Sequence, residues 1–175
     1  YLKDHLKDLE FDHMENLQSG KGLAPVQTFT LRSDDLGGQF TKAQYFNGFG
    51  HNGLNRSPHL LWVNAPKSTV EFAVTIYDID APTDCGFWHW LMIHIPSDEN
   101  ELKADAGNLK NNIAPLGSMQ INTDFGSPGY SGPAPTPGAS HRYVITVYSL
   151  KEKLAQSESL TPALLSFMIK DLTLA

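Results

Sequence analysis

The strongest constraint on the fold is a series of short strand-like segments separated by turns rich in glycine, proline, asparagine and aspartate. Most of these segments alternate apolar and polar residues, a period of two that places successive side chains on opposite faces of a β-strand. The segments are residues 26–33, 59–63, 71–79, 88–95 and 141–150. Many short strands joined by turns predict a mainly β protein, built as an antiparallel sandwich or barrel.

Helices are predicted at the two ends of the chain. Residues 1–25 carry leucines at helical spacing, and we interpret them as an N-terminal helical extension that packs on the surface or on a partner. Residues 26–175 then form a single domain of ordinary size. Near the end of this domain, Thr161 is suited to cap a short helix, and Pro162 suits its first turn.

Composition excludes several classes of protein. The 175 residues carry a formal net charge of −6, which argues against a broad surface for nucleic acid or anionic membrane. No apolar run approaches the length of a membrane span. Cys85 is the one cysteine, so no intrachain disulfide forms, and its loop setting predicts an ordinary thiol. Because the chain begins with Tyr1, we expect its natural start to be missing, and the periplasm and the cytoplasm both stay open as the compartment.

The stretch "YDIDAPTDCGFWHWLMIHIP", residues 77–96, places polar groups where strand packing alone does not require them. Alternation puts Asp78 at the end of the apolar face of the strand before it, continued by Asp80. In the next run, alternation predicts one face made of His89, Leu91, Ile93 and Ile95. It predicts the opposite face to hold Trp88, Trp90, Met92 and His94. Taken alone, each histidine is better explained as a satisfied residue at the edge of the core.

The longest predicted loop, residues 122–140, contains four prolines and four glycines. We interpret it as a semi-rigid wall, because a loop of this length in a small domain is usually functional or disordered. It leads to His141 and Tyr143, which share one face of the following strand. If these rings meet Asp78 and His89 in one cleft, the cleft offers imidazole, hydroxyl and backbone N–H donors to a small anion.

In such a cleft, Asp78 would orient an imidazole and favour its cationic form, while Phe87, Trp88 or Pro135 would line the apolar part. Enzymatic readings have less support. The spacing of histidines and cysteines matches no metal motif, the "GxSxG" serine elbow is absent, and no glycine-rich nucleotide loop occurs. We therefore assign no catalytic residue, no metal and no cofactor.

Three motifs, in the order "DIDAPTDCGFWHW", "NTDFGSPGY" and "GPAPTPGASHRY", resemble those of the phosphatidylethanolamine-binding proteins, also called Raf-kinase-inhibitor-like proteins. Residues 45–66 are similar to the bacterial branch of this family, and the likeness extends over residues 26–175. The resemblance implies an antiparallel β-sandwich with a few short flanking helices. It also implies a pocket at one edge for phosphate, acetate or a phospholipid head group such as phosphoethanolamine.

The resemblance implies ligand-binding roles for the residues at matching motif positions, which are Asp78, Phe87, His89, Pro135, His141 and Tyr143. It implies supporting roles for Asp80, which ties the motif turn together, and for Pro82, because Ala81–Pro82 matches a cis peptide of the family. The sequence departs from the family where Ile79 replaces a proline and where His94 replaces an asparagine. The loop also reads "PTPG", without the lysine that many relatives have near the pocket mouth.

Three functions follow as hypotheses. The first is a non-enzymatic binding protein for a small anionic ligand or phospholipid head group. The second is an interaction protein that inhibits a serine protease or a kinase pathway, and the third is a hydrolase that uses the Asp–His pair. Pairing as a homodimer is expected from the resemblance to bacterial relatives and from the apolar stripe near the N terminus.

Overall fold

A computed structural model of the chain describes residues 27–155 and 160–175. The predicted N-terminal helix and the predicted domain boundary after residue 25 lie outside these residues. Within them, seven strands and one helix occur in the following order: β1 Thr30–Arg32, β2 Leu60–Val63, β3 Glu71–Asp78, β4 Phe87–Pro96, β5 Glu101–Leu102, β6 Met119–Gln120, β7 Tyr143–Leu150 and α1 Pro162–Leu172.

The strands form two antiparallel sheets, with the orders β1-β2-β5 and β6-β4-β3-β7. This arrangement confirms the predicted mainly β fold, and each of the five predicted strand segments contains a strand. The two-residue strands β5 and β6 were not predicted, because a pair of residues carries too little pattern to show a period of two.

Apolar side chains fill both faces of the larger sheet. One cluster lies between the two sheets and joins Trp62 and Leu60 of β2 to Phe72, Val74 and Ile76 of β3. The other cluster covers the opposite face of the larger sheet, where α1 packs. The central strand β3 is therefore buried along nearly its whole length, and its two ends are the places where polar groups enter the core.

The C-terminal helix forms as the sequence predicts. The Thr161 side chain caps its first turn by accepting a hydrogen bond from the Leu164 backbone N–H at 3.2 Å, and Pro162 occupies the first turn. Leu165 and Ile169 lie one turn apart and are buried against the larger sheet. Burial of this apolar face anchors the helix, because an 11-residue helix is marginal by itself.

Strand β4 does not alternate as predicted. Its register against β3 shifts twice, once between the pairs Ile76–Trp90 and Tyr77–Trp88, and again nearer the other end of β3. Each shift adds an unpaired residue, which inverts the facing of every residue beyond it. The predicted faces hold between the two shifts and are wrong outside them: Ile95 joins Trp90 and Met92 in the cluster between the sheets, whereas Trp88 joins Leu91 and Ile93 in the cluster under the helix.

The second shift explains the histidine at position 94. His94 has a backbone φ of 56°, in the left-handed region that asparagine, aspartate and histidine tolerate better than other non-glycine residues. Its ring contacts Glu71 at the start of β3, where the His94 Nδ1 and Glu71 Oε2 atoms are 2.9 Å apart. The histidine therefore satisfies a buried carboxylate at this position.

Candidate functional site

The candidate site forms where β3 ends beside the start of β7. Asp78 pairs with Tyr143 in the register of the two strands, which brings His141, two residues earlier, next to the Asp78 carboxylate. The His141 Nδ1 and Asp78 Oδ2 atoms are 2.7 Å apart. The other oxygen, Oδ1, accepts a hydrogen bond from the Asp80 backbone N–H at 2.9 Å. Asp78 is only 3% exposed, so both carboxylate oxygens are satisfied inside the protein.

His89 approaches the same carboxylate from β4. It is the unpaired residue of the first register shift, and its ring is directed towards Asp78, with 3.9 Å between His89 Nε2 and Asp78 Oδ2. The other ring nitrogen, Nδ1, lies 2.7 Å from the Ser131 carbonyl oxygen. A carbonyl oxygen only accepts, so Nδ1 carries a hydrogen, and in the neutral ring Nε2 is left with a lone pair.

Burial dominates the titration of His89. It lowers the pKa of His89 below the ordinary histidine value, because the cationic ring loses its hydration. The Ser131 carbonyl and the Asp78 charge oppose this shift and favour the cation. Burial therefore favours the neutral ring, and a negatively charged ligand bound beside it would raise its pKa.

Tyr143 lies between the two histidines and has a free hydroxyl. Its ring is 5.5 Å from the His89 ring and 6.3 Å from the His141 ring, measured between centroids, and Phe40 packs edge-on against it at 5.3 Å. Within the described part of the chain, the buried Tyr143 hydroxyl has no hydrogen-bond partner. Burial, followed by the nearby Asp78 charge, raises the pKa of Tyr143, so the hydroxyl remains a proton donor at neutral pH.

A cleft of about 600 Å³ opens beside these rings. His141, Tyr143 and Pro135 line it together with apolar side chains such as Phe40 and Leu36. Asp78 and His89 are not among its lining residues; they are buried in contact with the two rings that are. The proline-rich loop thus forms a wall of the cleft at Pro135.

Asp80 and Arg142 form an exposed pair at the edge of the site. The Asp80 carboxylate accepts hydrogen bonds from the backbone N–H, Nε and Nη2 of Arg142, at 2.7, 2.8 and 2.7 Å. The Arg142 side chain and backbone N–H lower the pKa of Asp80 from 3.8 to about 2. These bonds join the turn after β3 to the residues that precede β7.

The prediction of a cis peptide at Ala81–Pro82 is wrong. This bond is trans, and the described residues contain no cis peptide. The turn is instead held by two local hydrogen bonds, from Asp80 N–H to the Asp78 carboxylate and from Thr83 N–H to the Ala81 carbonyl oxygen at 2.7 Å. These bonds reverse the chain with a trans peptide.

Aromatic rings surround His89 on the side away from Tyr143. Phe87 lies 5.2 Å from the His89 ring, and Phe125 contacts both rings, at 4.7 Å from Phe87 and 6.1 Å from His89. Phe125 then stacks on Phe46 and on Phe49, which is 78% exposed. Phe87 is thus an aromatic neighbour of His89, while Phe125 was not predicted, although it belongs to the motif "NTDFGSPGY".

Two further residues were missed because their contacts are long-range. Ser131 binds His89 through its carbonyl oxygen, and Asn55 binds the backbone on either side of Ser131. Both lie in turn-like sequence without a periodic pattern. The structure explains the glycine at position 132, next to Ser131, because a Cβ there would collide with the Gln44 carbonyl oxygen.

Within residues 27–155 and 160–175, no group of three or more histidine, cysteine, aspartate or glutamate side chains is arranged to hold a metal ion. In the same residues, no helix is long and apolar enough to cross a membrane. The site as described is a set of two imidazoles and a phenol gathered around one buried carboxylate, and such a set has donors for an anion.

The fold and the site together define a class of two-sheet β protein with a histidine-rich pocket at one edge. Residues 35–175 match the family described as phosphatidylethanolamine-binding protein. The chain is 41% identical to UPF0098 protein YbhB of Escherichia coli (strain K12) over 143 residues, which cover 79% of this chain and 89% of that protein. It is 39% identical to UPF0098 protein YbcL of the same organism over 150 residues, covering 83% of this chain and 82% of the relative.

Solved structures give the same result. The crystal structure of Escherichia coli YbcL, described as a new member of the mammalian PEBP family, aligns with a TM-score of 0.80 at 37% identity and covers 85% of this chain and 93% of that one. A Chlamydia trachomatis homologue, at 23% identity and a TM-score of 0.70, shares the fold and covers 85% of this chain and 92% of that one. The chain belongs to the phosphatidylethanolamine-binding protein family, in the branch that contains YbhB and YbcL.

Proposed function

We propose that this protein is a non-enzymatic binding protein for a small anion, such as phosphate, phosphoethanolamine or a phospholipid head group. Membership of the family supports a binding role in general. The observation that carries the specific proposal is the approach of two imidazoles to a single buried carboxylate oxygen, at 2.7 Å and 3.9 Å. Asp78 is within hydrogen-bond distance of His141 and further from His89. When His89 is protonated, its Nε2–H is therefore available to donate to an anion.

The donors for the anion come from three side chains. His141 donates Nδ1–H to Asp78 and His89 donates Nδ1–H to the Ser131 carbonyl, so each ring offers Nε2–H to a ligand when it is protonated. The Tyr143 hydroxyl, which has no hydrogen-bond partner among the described residues, is a third donor. We propose that the anion enters from the cleft lined by His141 and Tyr143, and that rotation of the Tyr143 side chain opens the path to His89. Charge-assisted hydrogen bonds from imidazolium to phosphate are stronger than neutral ones.

Anion binding at this site is expected to take up a proton. Neutral His89 presents a lone pair at Nε2, which repels an anion, so His89 must be protonated before it donates. The affinity should therefore rise as the pH falls towards the lowered pKa of His89, over the range in which the ligand keeps its negative charge.

The geometry supports binding over hydrolysis. Asp78 binds His141 at Nδ1, so Nε2 is the nitrogen that would act as a base in a hydrolase. In the part of the chain that the structure describes, no serine, threonine or cysteine side chain is hydrogen-bonded to Nε2 of His141 or His89, so neither ring has a nucleophile to activate. Within the described residues, no feature favours a protease, a kinase or a second copy of the chain as partner over a small anion.

The test is an NMR titration of the protein with inorganic phosphate and with phosphoethanolamine near pH 6.5. Saturable shifts are expected in the wild type, with a loss of at least tenfold in affinity in His89→Gln and His141→Gln. The matched control is His59→Gln, since the His59 Nε2 and Glu101 Oε1 atoms are 3.2 Å apart in an equivalent acid–imidazole contact outside the site. Absence of saturable shifts in the wild type, or an equal loss in His59→Gln, would contradict the proposal.

A further inference from the structure

One loop residue, Ser131, is hydrogen-bonded both to the backbone of His89 and to its ring. The Ser131 backbone N–H donates to the His89 carbonyl oxygen at 3.0 Å, while the Ser131 carbonyl oxygen accepts from the His89 ring at 2.7 Å. The position of the Ser131 peptide therefore decides which ring nitrogen of neutral His89 carries the hydrogen. Whatever holds this peptide in place also sets the hydrogen-bonding character of the nitrogen that faces Asp78.

Asn55 clamps the peptide groups on both sides of Ser131. Its Oδ1 atom accepts a hydrogen bond from the Gly132 backbone N–H at 2.8 Å, and its Nδ2 group donates to the Tyr130 carbonyl oxygen at 3.1 Å. The primary amide is suited to this position, because it has a donor and an acceptor on one planar group. Aspartate supplies only acceptors, and serine has its donor and its acceptor on a single oxygen atom, so neither offers two separate atoms for the two backbone groups.

The backbone at Asn55 is itself fixed. Its φ is 51°, in the left-handed region that asparagine tolerates, and its N–H donates to the Tyr45 carbonyl oxygen at 2.9 Å. On the other side of the contact, Gly132 lies so close to the Gln44 carbonyl oxygen that no side chain fits there. The two loops, 44–55 and 130–132, are thus packed backbone to backbone, with the Asn55 amide as the polar link between them.

We propose that Asn55 is a positioning residue for the anion site: it holds the Ser131 carbonyl against His89 Nδ1, so that His89 Nε2 donates to an anion only after the ring is protonated. Asn55 does not touch the anion. Its effect passes through the Ser131 peptide, which lies between the two side chains. The part of this proposal that concerns ligand affinity rests on the proposed function, whereas the part that concerns the His89 tautomer does not.

Other charged and titratable groups also face His89. Asp78 lies on β3, Tyr143 begins β7, His141 lies two residues before it, and Asp124 lies in the loop that follows β6. Asp124 accepts from the Trp88 backbone N–H at 2.8 Å, next to His89 in the chain. These groups influence how readily His89 is protonated, but the Ser131 carbonyl is in direct contact with Nδ1, so it determines the neutral tautomer.

The first experiment reads the tautomer without a ligand. In the wild type at about pH 8, the ¹⁵N shifts of the His89 ring should report one tautomer, with hydrogen on Nδ1. Asn55→Gly removes both amide contacts without straining the left-handed backbone, and a mixture of the two tautomers is expected. Asn55→Asp keeps the acceptor for Gly132 N–H but loses the donor to Tyr130, so an intermediate population is expected.

The matched control is the same pair of substitutions at Asn112. This residue is exposed and has a φ of 53°, so it shares the residue type and the backbone conformation of Asn55 at a position remote in sequence from Ser131 and His89. Asn112→Gly and Asn112→Asp should leave the His89 ring shifts unchanged. A wild-type tautomer in Asn55→Gly, or equal changes in the Asn112 variants, would overturn the proposal.

The second experiment measures phosphate affinity between about pH 5.5 and pH 8. In the wild type, the pH dependence due to His89 should approach tenfold in affinity per pH unit above its pKa, because one proton is taken up on binding. Asn55→Gly should bind more weakly at low pH and lose part of this pH dependence, since some neutral rings then carry the donor on Nε2. An unchanged pH profile with only weaker binding would overturn the positioning role. Absence of phosphate binding in the wild type would overturn the proposed function, and the tautomer experiment would still test Asn55.

Discussion

The two ends of β3 carry the same chemical arrangement and differ in what surrounds it. At the start of the strand, Glu71 Oε2 lies 2.9 Å from His94 Nδ1, and at the end Asp78 Oδ2 lies 2.7 Å from His141 Nδ1. Both acids are 3% exposed. In each case the second carboxylate oxygen accepts from a backbone N–H. A buried acid–imidazole pair therefore does not by itself identify a binding site.

The differences lie in the third partner and in the neighbouring groups. Glu71 accepts at 2.8 Å from the N–H of Leu154, a residue 83 positions along the chain, so it anchors the segment that follows β7. Asp78 accepts from Asp80, only two residues away, and so its second bond closes a local turn. Asp78 also has a second imidazole, His89, within 3.9 Å. Among the described residues, His94 Nε2 and the Tyr143 hydroxyl are both buried without a hydrogen-bond partner, so an unused polar atom does not separate the two ends. What separates them is the second imidazole beside Asp78, and the long-range anchor that Glu71 provides for Leu154.

The largest expected effect on stability comes from removing the structural pair. Glu71→Ala should lower the free energy of unfolding by about 3 kcal/mol or more, because it leaves the Leu154 N–H and the His94 ring without their buried acceptor. Urea unfolding at pH 7 measures this. Glu101→Ala is the control, since the Glu101 contact with His59 is part-exposed and should be worth less than about 1 kcal/mol.

This prediction also separates the two ends by function. Glu71→Gln, which keeps the shape of the side chain, should leave phosphate binding unchanged in the folded protein. Seven strand steps of about 3.3 Å separate Glu71 from Asp78, roughly 23 Å, so Glu71 is too far away to contact an anion bound beside Asp78. If Glu71→Gln lost more free energy of phosphate binding than free energy of unfolding, the distinction between a structural end and a binding end of β3 would be wrong.

Asp78→Asn should have the next largest effect, with its main consequence on binding. The loss of charge and of one acceptor should cost about 1–3 kcal/mol of stability. The Asp78 charge raises the pKa of His89 against the effect of burial, so its removal should lower the pKa of His89 further. Phosphate binding should then be confined to lower pH. NMR titration of the His89 ring measures this, and an unchanged His89 pKa would show that Asp78 does not act on it.

Part of this comparison was predictable from the sequence, and its limits have a physical cause. Alternation placed Asp78 at the end of one apolar strand face and His141 with Tyr143 on one face of another strand. That the two strands are neighbours, with Asp78 paired to Tyr143, is shown only by the structure. The register shifts in β4 were not predictable, since a bulge needs one extra residue and leaves no local signal in a run as apolar as "WHWLMIHI". The alternation from Trp88 to His89 was predicted correctly. The bulge at His89 then breaks the alternation, so the faces of Trp90 and the later residues could not be counted from His89.

The contacts that complete the site join residues far apart in the sequence, so no local sequence pattern predicts them. The Ser131 carbonyl meets His89 across 42 residues, and Asn55 reaches Gly132 across 77 residues. Their sequence signals are a glycine and an asparagine in turns, and such residues occur throughout this chain for purely local reasons. Only the packing of two loops against each other shows that the Asn55 amide bridges them.

The pH dependence of stability gives a smaller effect of opposite sign to that on binding. The pKa of His89 is lowered in the folded protein, so the unfolded chain, with a pKa near 6.5, binds the proton more readily. This contribution to stability is present above about pH 6.5 and is lost as the pH falls towards the folded pKa, at up to about 1.4 kcal/mol per pH unit. Unfolding free energies at pH 7.5 and 5.5 should differ less in His89→Gln than in the wild type. His59→Gln should retain the part of the wild-type difference in unfolding free energy that comes from His89. An equal decrease in both variants would contradict the assignment of this pH dependence to His89.

The smallest effect is expected at the exposed carboxylate of the same turn. Arg142→Met removes the side-chain partner of Asp80, so the pKa of Asp80 should rise from about 2 towards 3.8, as measured by carboxyl NMR titration. The pair stabilises the fold above the unfolded pKa, and this contribution is lost as the pH falls from about 4 to 2, so the variant should show less dependence on pH in that range. Arg32→Met, at an exposed arginine on β1, is the control. Because Arg142 is largely exposed and Asp80 is partly exposed, stability at pH 7 should hardly change. Arg142 lines the cleft, but its guanidinium is bound to Asp80, so phosphate affinity should also hardly change. A large loss of phosphate affinity in Arg142→Met would mean that the arginine contacts the anion, and the site would then extend beyond the buried group around Asp78.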